Sequence, residues 1–211
     1  MRNEKDDIKV SIIMPSFNVA NYIRECMESV IHQTLKEIEI LVVDARSTDG
    51  TYEILKEYEA KDPRVHILID DRASTGYANN IAIDHAQGKY IGIVETDDYV
   101  RRDMYEMLYH AAEITECDIV KGDYDSFSGD GVERRSVKHH LAPAKKYRRI
   151  IDPERDDHIF EYVMFNWAGI YRRDFLNEFH IRHQETGGAS FQDNGFFFLA
   201  YAYARKKNPL S

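Results

Sequence analysis

Short apolar runs alternate with helix-like stretches along the first half of the chain. Each run is long enough for one buried strand, and between the runs apolar residues recur every three or four positions, as on one face of a helix. We predict strands at residues 10–14, 38–43, 65–69 and 90–94, with a helix after each. This alternation predicts right-handed crossovers, and therefore an α/β fold with a mostly parallel sheet flanked by helices.

The pattern is less regular after residue 118. We predict strands at 118–120 and near 168–171, helices near 153–164 and 191–204, and a long loop or edge hairpin over the polar, basic stretch 126–151. The chain is therefore expected to form one domain with a smaller, mixed second half. Its parts are a polar N-terminal extension (1–9), a first half (10–122) and a second half (123–211).

Three of the predicted strands end directly in acidic residues, at Asp44, at Asp70-Asp71 and at the sequence Glu95-Thr96-Asp97-Asp98. In open parallel sheets the ligand binds beyond the carboxyl ends of the strands, so these carboxylates should converge on a ligand. Clustered carboxylates repel one another in a partly dry site unless a cation neutralises them. Mg²⁺ or Mn²⁺ would suit such a site, because a hard cation shares protein carboxylates with phosphate oxygens. The alternative is a solvated loop followed by a helix N-terminus, where Asp is common.

Further candidates lie next to other predicted elements. Phe17 would stack on a flat base, and Asn18 would hold a ligand or cap the next helix; the alternative is an aromatic core residue beside a helix cap. Asp44 would accept hydrogen bonds from a ribose or a base, whereas Asp49 is expected to cap its helix. Asp193 precedes an apolar helix, where it either caps the helix or acts as a general base.

Composition and charge narrow the classes of partner. The 211 residues fit one domain, and the net charge of −9 argues against nonspecific binding to nucleic acid. Residues 1–9 are polar and charged, unlike a secretory signal, and no apolar run approaches the roughly 20 residues that span a bilayer. We expect a cytoplasmic protein with two reduced, partly buried cysteines. The basic run at 145–149 leaves open a peripheral contact with the inner face of the membrane, although such a run is more often a solvated face.

Taken together, several blocks of the sequence resemble the family 2 glycosyltransferases, which have the Rossmann-like GT-A fold. The blocks are residues 11–18, 42–51 and 88–98, Tyr171-Arg172-Arg173, and Gln192-Asp193 with Phe196. Single blocks are weak signals, but their order and spacing are specific, and the resemblance extends from Val10 to about Ala204. It implies an inverting, hexosyltransferase-type enzyme that moves a sugar from a nucleoside diphosphate donor to a glycan or lipid-linked acceptor. Cell-surface polysaccharide synthesis is the setting that the family suggests.

The resemblance also implies roles for individual residues. The residues expected to bind the nucleotide-sugar are Pro15, Phe17, Asn18, Asp44, Arg72, Glu95 and Asp97. Glu95 and Asp97 match the outer positions of the family's acid-any-acid motif. Asp97 would ligate Mn²⁺ or Mg²⁺, and Asp98 is a second candidate ligand, because family members differ in which acid contacts the metal. Asp193 matches the base that deprotonates the acceptor hydroxyl.

Two positions depart from the family pattern. Asp44 is followed by Ala45-Arg46 where members often have a second acid and a glycine, which puts a UDP donor in doubt. Asn79 stands where many members have Arg, so a phosphate or ribose contact is either lost or supplied elsewhere, with Arg72 as the candidate. Many members also continue beyond this length, and we expect the natural protein to be longer.

Two other functions remain open. One is a noncatalytic domain that binds nucleotide-sugars or acts as a scaffold. The other is a sugar nucleotidyltransferase, but residues 15–18 lack the Gly-rich, basic loop that its triphosphate substrate requires.

Overall fold

The computed structural model describes residues 8–129, 133–141, 149–153, 155, 165–187 and 191–205. Within these residues the chain forms an α/β fold. The elements are β1 (Val10–Ser16), α1 (Ile23–Ile31), β2 (Ile38–Asp44), α2 (Thr51–Lys61), β3 (Val65–Ile69), α3 (Thr75–His85), β4 (Tyr90–Ile93), α4 (Met104–Thr115), β5 (Ile119–Lys121), β6 (Tyr124–Ser128), β7 (Arg135–His139), β8 (Gly169–Arg172), α5 (Arg173–Glu178) and α6 (Gln192–Tyr203).

One six-stranded sheet forms the centre of the fold, in the order β3-β2-β1-β4-β8-β5. The strands β1 to β4 are parallel, and β8 runs antiparallel to both of its neighbours, β4 and β5. The mostly parallel sheet predicted from the sequence is therefore confirmed. The strands β6 and β7 pair with each other as a separate antiparallel hairpin.

The core consists of two apolar layers, one on each face of the sheet. Alternate residues of β1 divide between them: Ile12 and Met14 pack in one layer with residues of α1, α2 and α4, and Ile13 packs in the other with residues of α3, α5 and α6. This period-two alternation follows from the pleat of a strand, and burial of β1 on both faces explains its continuous apolar run. The sheet is thus a rigid support for the loops at its edges.

The observed elements differ from the predicted ones at β1 and at α5. The strand β1 continues through Pro15 to Ser16. Of the two alternatives predicted for the polar stretch of the second half, a long loop or an edge hairpin, the structure shows a hairpin, formed by β6 and β7. The short helix α5 was not predicted, because six residues are too few to show a helical period. The helix predicted at 153–164 falls mostly outside the described residues.

The topology brings distant segments to one edge of the sheet. The carboxyl ends of β1 to β4 lie together there, and because β8 is antiparallel, the chain enters β8 at that same edge. Gly92 of β4 pairs with Ile170, and Lys121 of β5 pairs with Gly169. The residues before Gly169 therefore lie beside those after Ile93. In the part of the chain that the structure describes, no helix is both long enough and apolar enough to span a membrane.

Candidate functional site

The loops after β1 and β2 form one hydrogen-bonded unit. Asn18 has a left-handed backbone conformation, with φ of 53°, and its side-chain oxygen accepts a hydrogen bond of 2.8 Å from the backbone N–H of Thr48. The backbone N–H of Asn18 donates to the hydroxyl of Ser47 at 2.9 Å. Asn18 therefore links the two loops and does not cap α1. Beside it, the side chain of Phe17 is 55% exposed, which leaves an aromatic face at the sheet edge and excludes the core role.

Asp44 is buried, and its carboxylate holds the turn that follows β2. It accepts hydrogen bonds from the backbone N–H of Ser47 at 3.0 Å and from the Ser47 hydroxyl at 2.6 Å. Asp49 acts in a similar way, as expected of a helix-capping residue: it accepts from the N–H and hydroxyl of Thr51 at the start of α2 and from the N–H of Ala20. Both carboxylates therefore set the shape of the loops before any ligand binds.

The acidic segment after β4 is anchored to neighbouring elements. The hydroxyl of Thr96 donates to the carbonyl of Pro15 at 2.9 Å, which ties the segment to the end of β1. The thiol of Cys26 in α1 lies 3.6 Å from the carbonyl of Glu95, and the N–H of Asp98 donates to that carbonyl at 3.1 Å. The carboxylates of Asp97 and Asp98 thus project from a fixed backbone.

Four carboxylates crowd together at this edge. The pKa of Glu95 is raised to about 7, first by burial and then by the negative charges of Asp97, Asp98 and Asp193. Burial and Asp97 also raise the pKa of Asp98. Among the residues that the structure describes, none of the four forms a salt bridge. Because no described cation compensates these charges, the cluster fits a site that a bound cation completes.

The same residues limit how a metal would be held. Within the described ranges, no three His, Cys, Asp or Glu side chains are arranged to hold a metal ion by themselves. A hard cation such as Mg²⁺ is often held by one or two carboxylates and by substrate phosphates. The carboxylates of residues 95–98 match this arrangement, in which the substrate supplies the remaining ligands.

Asp193 lies on α6, whose start is hydrogen-bonded to the start of α3. It is in the first turn of α6, and its negative charge is one of the causes of the raised pKa of Glu95. The preceding residue, Gln192, fixes the start of this helix: its side chain accepts from the N–H of Gly76 in α3 and donates to the carbonyl of Thr186. A base at this position would face a ligand held by the acidic segment.

Arg72 lies after β3 and is occupied by interactions within the chain. Its guanidinium forms an ion pair of 2.8 Å with Glu185 and lies 3.8 Å from the ring centroid of Tyr77. No local pattern identifies Glu185 or Tyr77 as neighbours of Arg72, because both contacts depend on how the chain folds. A phosphate contact from Arg72 would compete with Glu185.

Two buried polar side chains near this part of the fold have no hydrogen-bond partner among the described residues. They are the hydroxyl of Ser16, at the end of β1, and the amide of Asn79, in α3. Buried polar groups are usually paired, so unpaired ones at a ligand-binding edge suggest partners supplied by a ligand. The sequence analysis identified Asn79, because it departs from the family pattern. It did not identify Ser16 as a site residue, although a serine at the end of a buried strand could have indicated it.

Comparisons with known proteins agree with this arrangement. A family model described as glycosyl transferase family 2 matches residues 11–179. The glycosyltransferase GlyA of Streptococcus pneumoniae is 38% identical over 227 residues, which cover 97% of this chain and 32% of GlyA. S. aureus TarS 1-349, solved in complex with UDP-GlcNAc, matches with a TM-score of 0.77 at 24% identity, over 94% of this chain and 54% of that one.

A more distant structure shares the fold as well. The mannosyltransferase PcManGT from Pyrobaculum calidifontis, solved in complex with GDP-Man and Mn²⁺, matches with a TM-score of 0.59 at 18% identity, over 89% of this chain and 50% of that one. The chain thus spans about a third of GlyA and about half of each solved chain. The family model covers most of the present chain, and the fold and the order of the motifs agree with it. The chain belongs to glycosyltransferase family 2.

Proposed function

We propose that this chain transfers a hexose, with inversion, from a nucleoside diphosphate donor to a glycan or lipid-linked acceptor. The observation that supports it best is the acidic segment at the carboxyl end of β4, where Asp97 and Asp98 are exposed and, among the described residues, form no salt bridge. Asp193, in the first turn of α6, would serve as the base for attack from the face opposite the leaving diphosphate. The names of relatives such as GlyA support the transferase class.

The donor would bind across the carboxyl ends of β1, β2 and β4. The exposed ring of Phe17 would stack on the base, and Asn18 and Asp44 would preserve the shape of the loops beneath it. UDP-GlcNAc in TarS and GDP-Man in PcManGT support a nucleotide-sugar as the class of donor. Ala45 stands where the family turn often has a second acid. The nucleobase of the donor therefore has to be identified by experiment.

Asp97 and Asp98 would hold Mn²⁺ or Mg²⁺ together with the donor phosphates. When bound, the cation would supply positive charge to the departing diphosphate. Glu95 lies deeper, and its raised pKa means that the cluster holds a proton near neutral pH when no cation is present.

Asp193 would accept the proton of the acceptor hydroxyl. A general base must lie within hydrogen-bond reach of the proton that it takes, and the start of α6 is fixed for this by Gln192. The acceptor oxygen would then attack the anomeric carbon of the donor sugar while the diphosphate leaves from the opposite face.

Calorimetric titration with a panel of nucleoside diphosphates and their sugars, first with Mn²⁺ and then with EDTA, tests this proposal. We expect one base to bind, with an affinity that depends on the metal, and we expect Asp97→Ala to remove that dependence. Asp174→Ala is the matched control, because Asp174 is an exposed acid in the first turn of α5, which follows the antiparallel strand β8 at the opposite edge of the sheet. If Asp97→Ala binds the donor with the same metal dependence as the wild type, the metal assignment is wrong. Donor binding without transfer to any acceptor would favour a noncatalytic binding domain.

A further inference from the structure

A cluster of aromatic side chains lies beside the end of β4, outside the residues used above. The rings of Phe165 and Trp167 stack on each other, with centroids 4.3 Å apart and planes 13° apart. The ring of Tyr124 is perpendicular to both, at 5.0 Å from Trp167 and 5.6 Å from Phe165. Because these two distances are nearly equal, Tyr124 lies beside the stack and does not cover either of its outer faces. His139 stacks on Tyr124 at 4.8 Å and completes the support.

The backbone that bears the stack is held by a half-buried lysine, Lys121. The ammonium of Lys121 donates to the carbonyl of Phe165 at 2.7 Å, to the carbonyl of Trp167 and to the hydroxyl of Tyr171 at 3.1 Å. Burial lowers the pKa of Lys121 to about 7. A buried cation is costly unless its hydrogen bonds are satisfied, and here two of its three bonds go to the segment that contains the stack.

The stack lies at the same edge as the acidic segment and is linked to the helix of the proposed base. The chain enters β8 two residues after Trp167, beside the strand that ends before Glu95. Asn166, between the two stacked residues, bonds to His183 at 3.1 Å, and His183 stacks on Phe196 at 4.1 Å. Phe196 follows Asp193 by about one turn of α6.

We propose that the Phe165–Trp167 stack is a binding subsite for a sugar ring of the acceptor. A sugar ring presents a face of C–H groups, which carry partial positive charge, and the face of an aromatic ring is negative. Trp167 is half-buried, so it is partly accessible while the stack with Phe165 and the bond from Lys121 hold its position. The inference rests on the proposed transferase function, because a glycan acceptor has to place a hydroxyl near Asp193.

The chain provides its own reporter for this subsite, because Trp167 is its one tryptophan. The experiment titrates glucose, galactose, N-acetylglucosamine, N-acetylgalactosamine and glucuronic acid while tryptophan emission is recorded, and glycerol serves as the negative control. The titrations are made with and without the nucleoside diphosphate selected by calorimetry. We expect a saturable change in emission with at least one sugar and none with glycerol.

Two variants test whether sugar binding depends on the aromatic face of Trp167. Trp167→Leu keeps apolar volume without an aromatic face, and calorimetry should show about tenfold weaker binding of that sugar with unchanged donor binding. Tyr203→Ala is the control variant. Tyr203 stacks on Phe179 in a similar pair elsewhere in the fold, with centroids 4.9 Å apart and planes 18° apart, and its loss should leave sugar binding unchanged.

The possible results separate this inference from the proposed function. Absence of a saturable change with every sugar, or equal sugar affinity in Trp167→Leu, would overturn the subsite even if the donor binds normally. A wild-type protein that binds no nucleoside diphosphate or nucleotide-sugar would instead overturn the proposed function, whatever the sugar titrations show.

Discussion

Mild acid is expected to destabilise the protein through one buried histidine, His183. Its side chain is 4% exposed, stacks on Phe196 and bonds to Asn166, and its second ring nitrogen has no partner among the described residues. Burial, together with the charge of Arg182, lowers the pKa of His183 from 6.5 to about 3. The folded protein therefore keeps this ring neutral at a pH where the unfolded chain protonates it.

The sign and size of the effect follow from proton linkage. Between about pH 6.5 and pH 3 the unfolded chain binds more protons at this site, so the free energy of unfolding falls as the pH falls. The stability that comes from keeping His183 neutral is fully present above about pH 6.5. At 1.36 kcal/mol for each pH unit, acidification from about 6.5 to about 5 removes roughly 2 kcal/mol.

Urea unfolding at pH 7.5 and at pH 5 measures this difference. We expect the loss of unfolding free energy on acidification to be about 2 kcal/mol smaller in His183→Gln than in the wild type, because glutamine does not titrate. The control is His110→Gln, which changes an exposed histidine of α4 and should retain the wild-type loss. The reasoning fails if His183→Gln loses as much stability between the two pH values as the wild type does.

Two further predictions concern the base and the core. Asp193→Asn should leave donor affinity unchanged and slow transfer by about 10²- to 10⁴-fold, as measured by product formation under saturating donor; normal turnover would remove Asp193 from the role of base. Gly92→Ala should lower the free energy of unfolding by about 1–3 kcal/mol in urea, because the added methyl would lie 2.3 Å from the fully buried ring of Tyr105. Gly187→Ala, where the methyl meets no atom within 4 Å, is its control, and an equal effect of both changes would refute the overlap in the core.

Local features of the sequence were sufficient to predict the main strands and the acidic residues at their carboxyl ends. The apolar runs at β1 to β4 are buried on both faces, so their pattern is continuous and their ends are marked by polar residues. Asp44 is therefore the last residue of β2, and Glu95 lies two residues after the end of β4. Asp49 behaves as its position before α2 predicted, since capping depends on a few neighbouring residues.

Long-range contacts determine features of the site that local sequence patterns do not predict. The approach of Asp193 to Glu95 depends on the packing of α6 beside α3, far apart in the sequence. The sequence also left open whether Phe17 is a core residue; its exposure follows from the direction in which the chain leaves β1.

The sequence by itself determined the alternation of strands and helices, the strand ends at which the acids stand, and the blocks that identify the family. Only the tertiary structure decided that β8 inserts antiparallel between β4 and β5, and so brings Trp167 to the edge where β4 ends. Likewise, it decided that Lys121 is half-buried and donates hydrogen bonds to the backbone carbonyls of Phe165 and Trp167. The physical reason is that strand ends and caps arise from neighbouring residues, whereas burial and cross-strand order arise from which distant segments exclude water together.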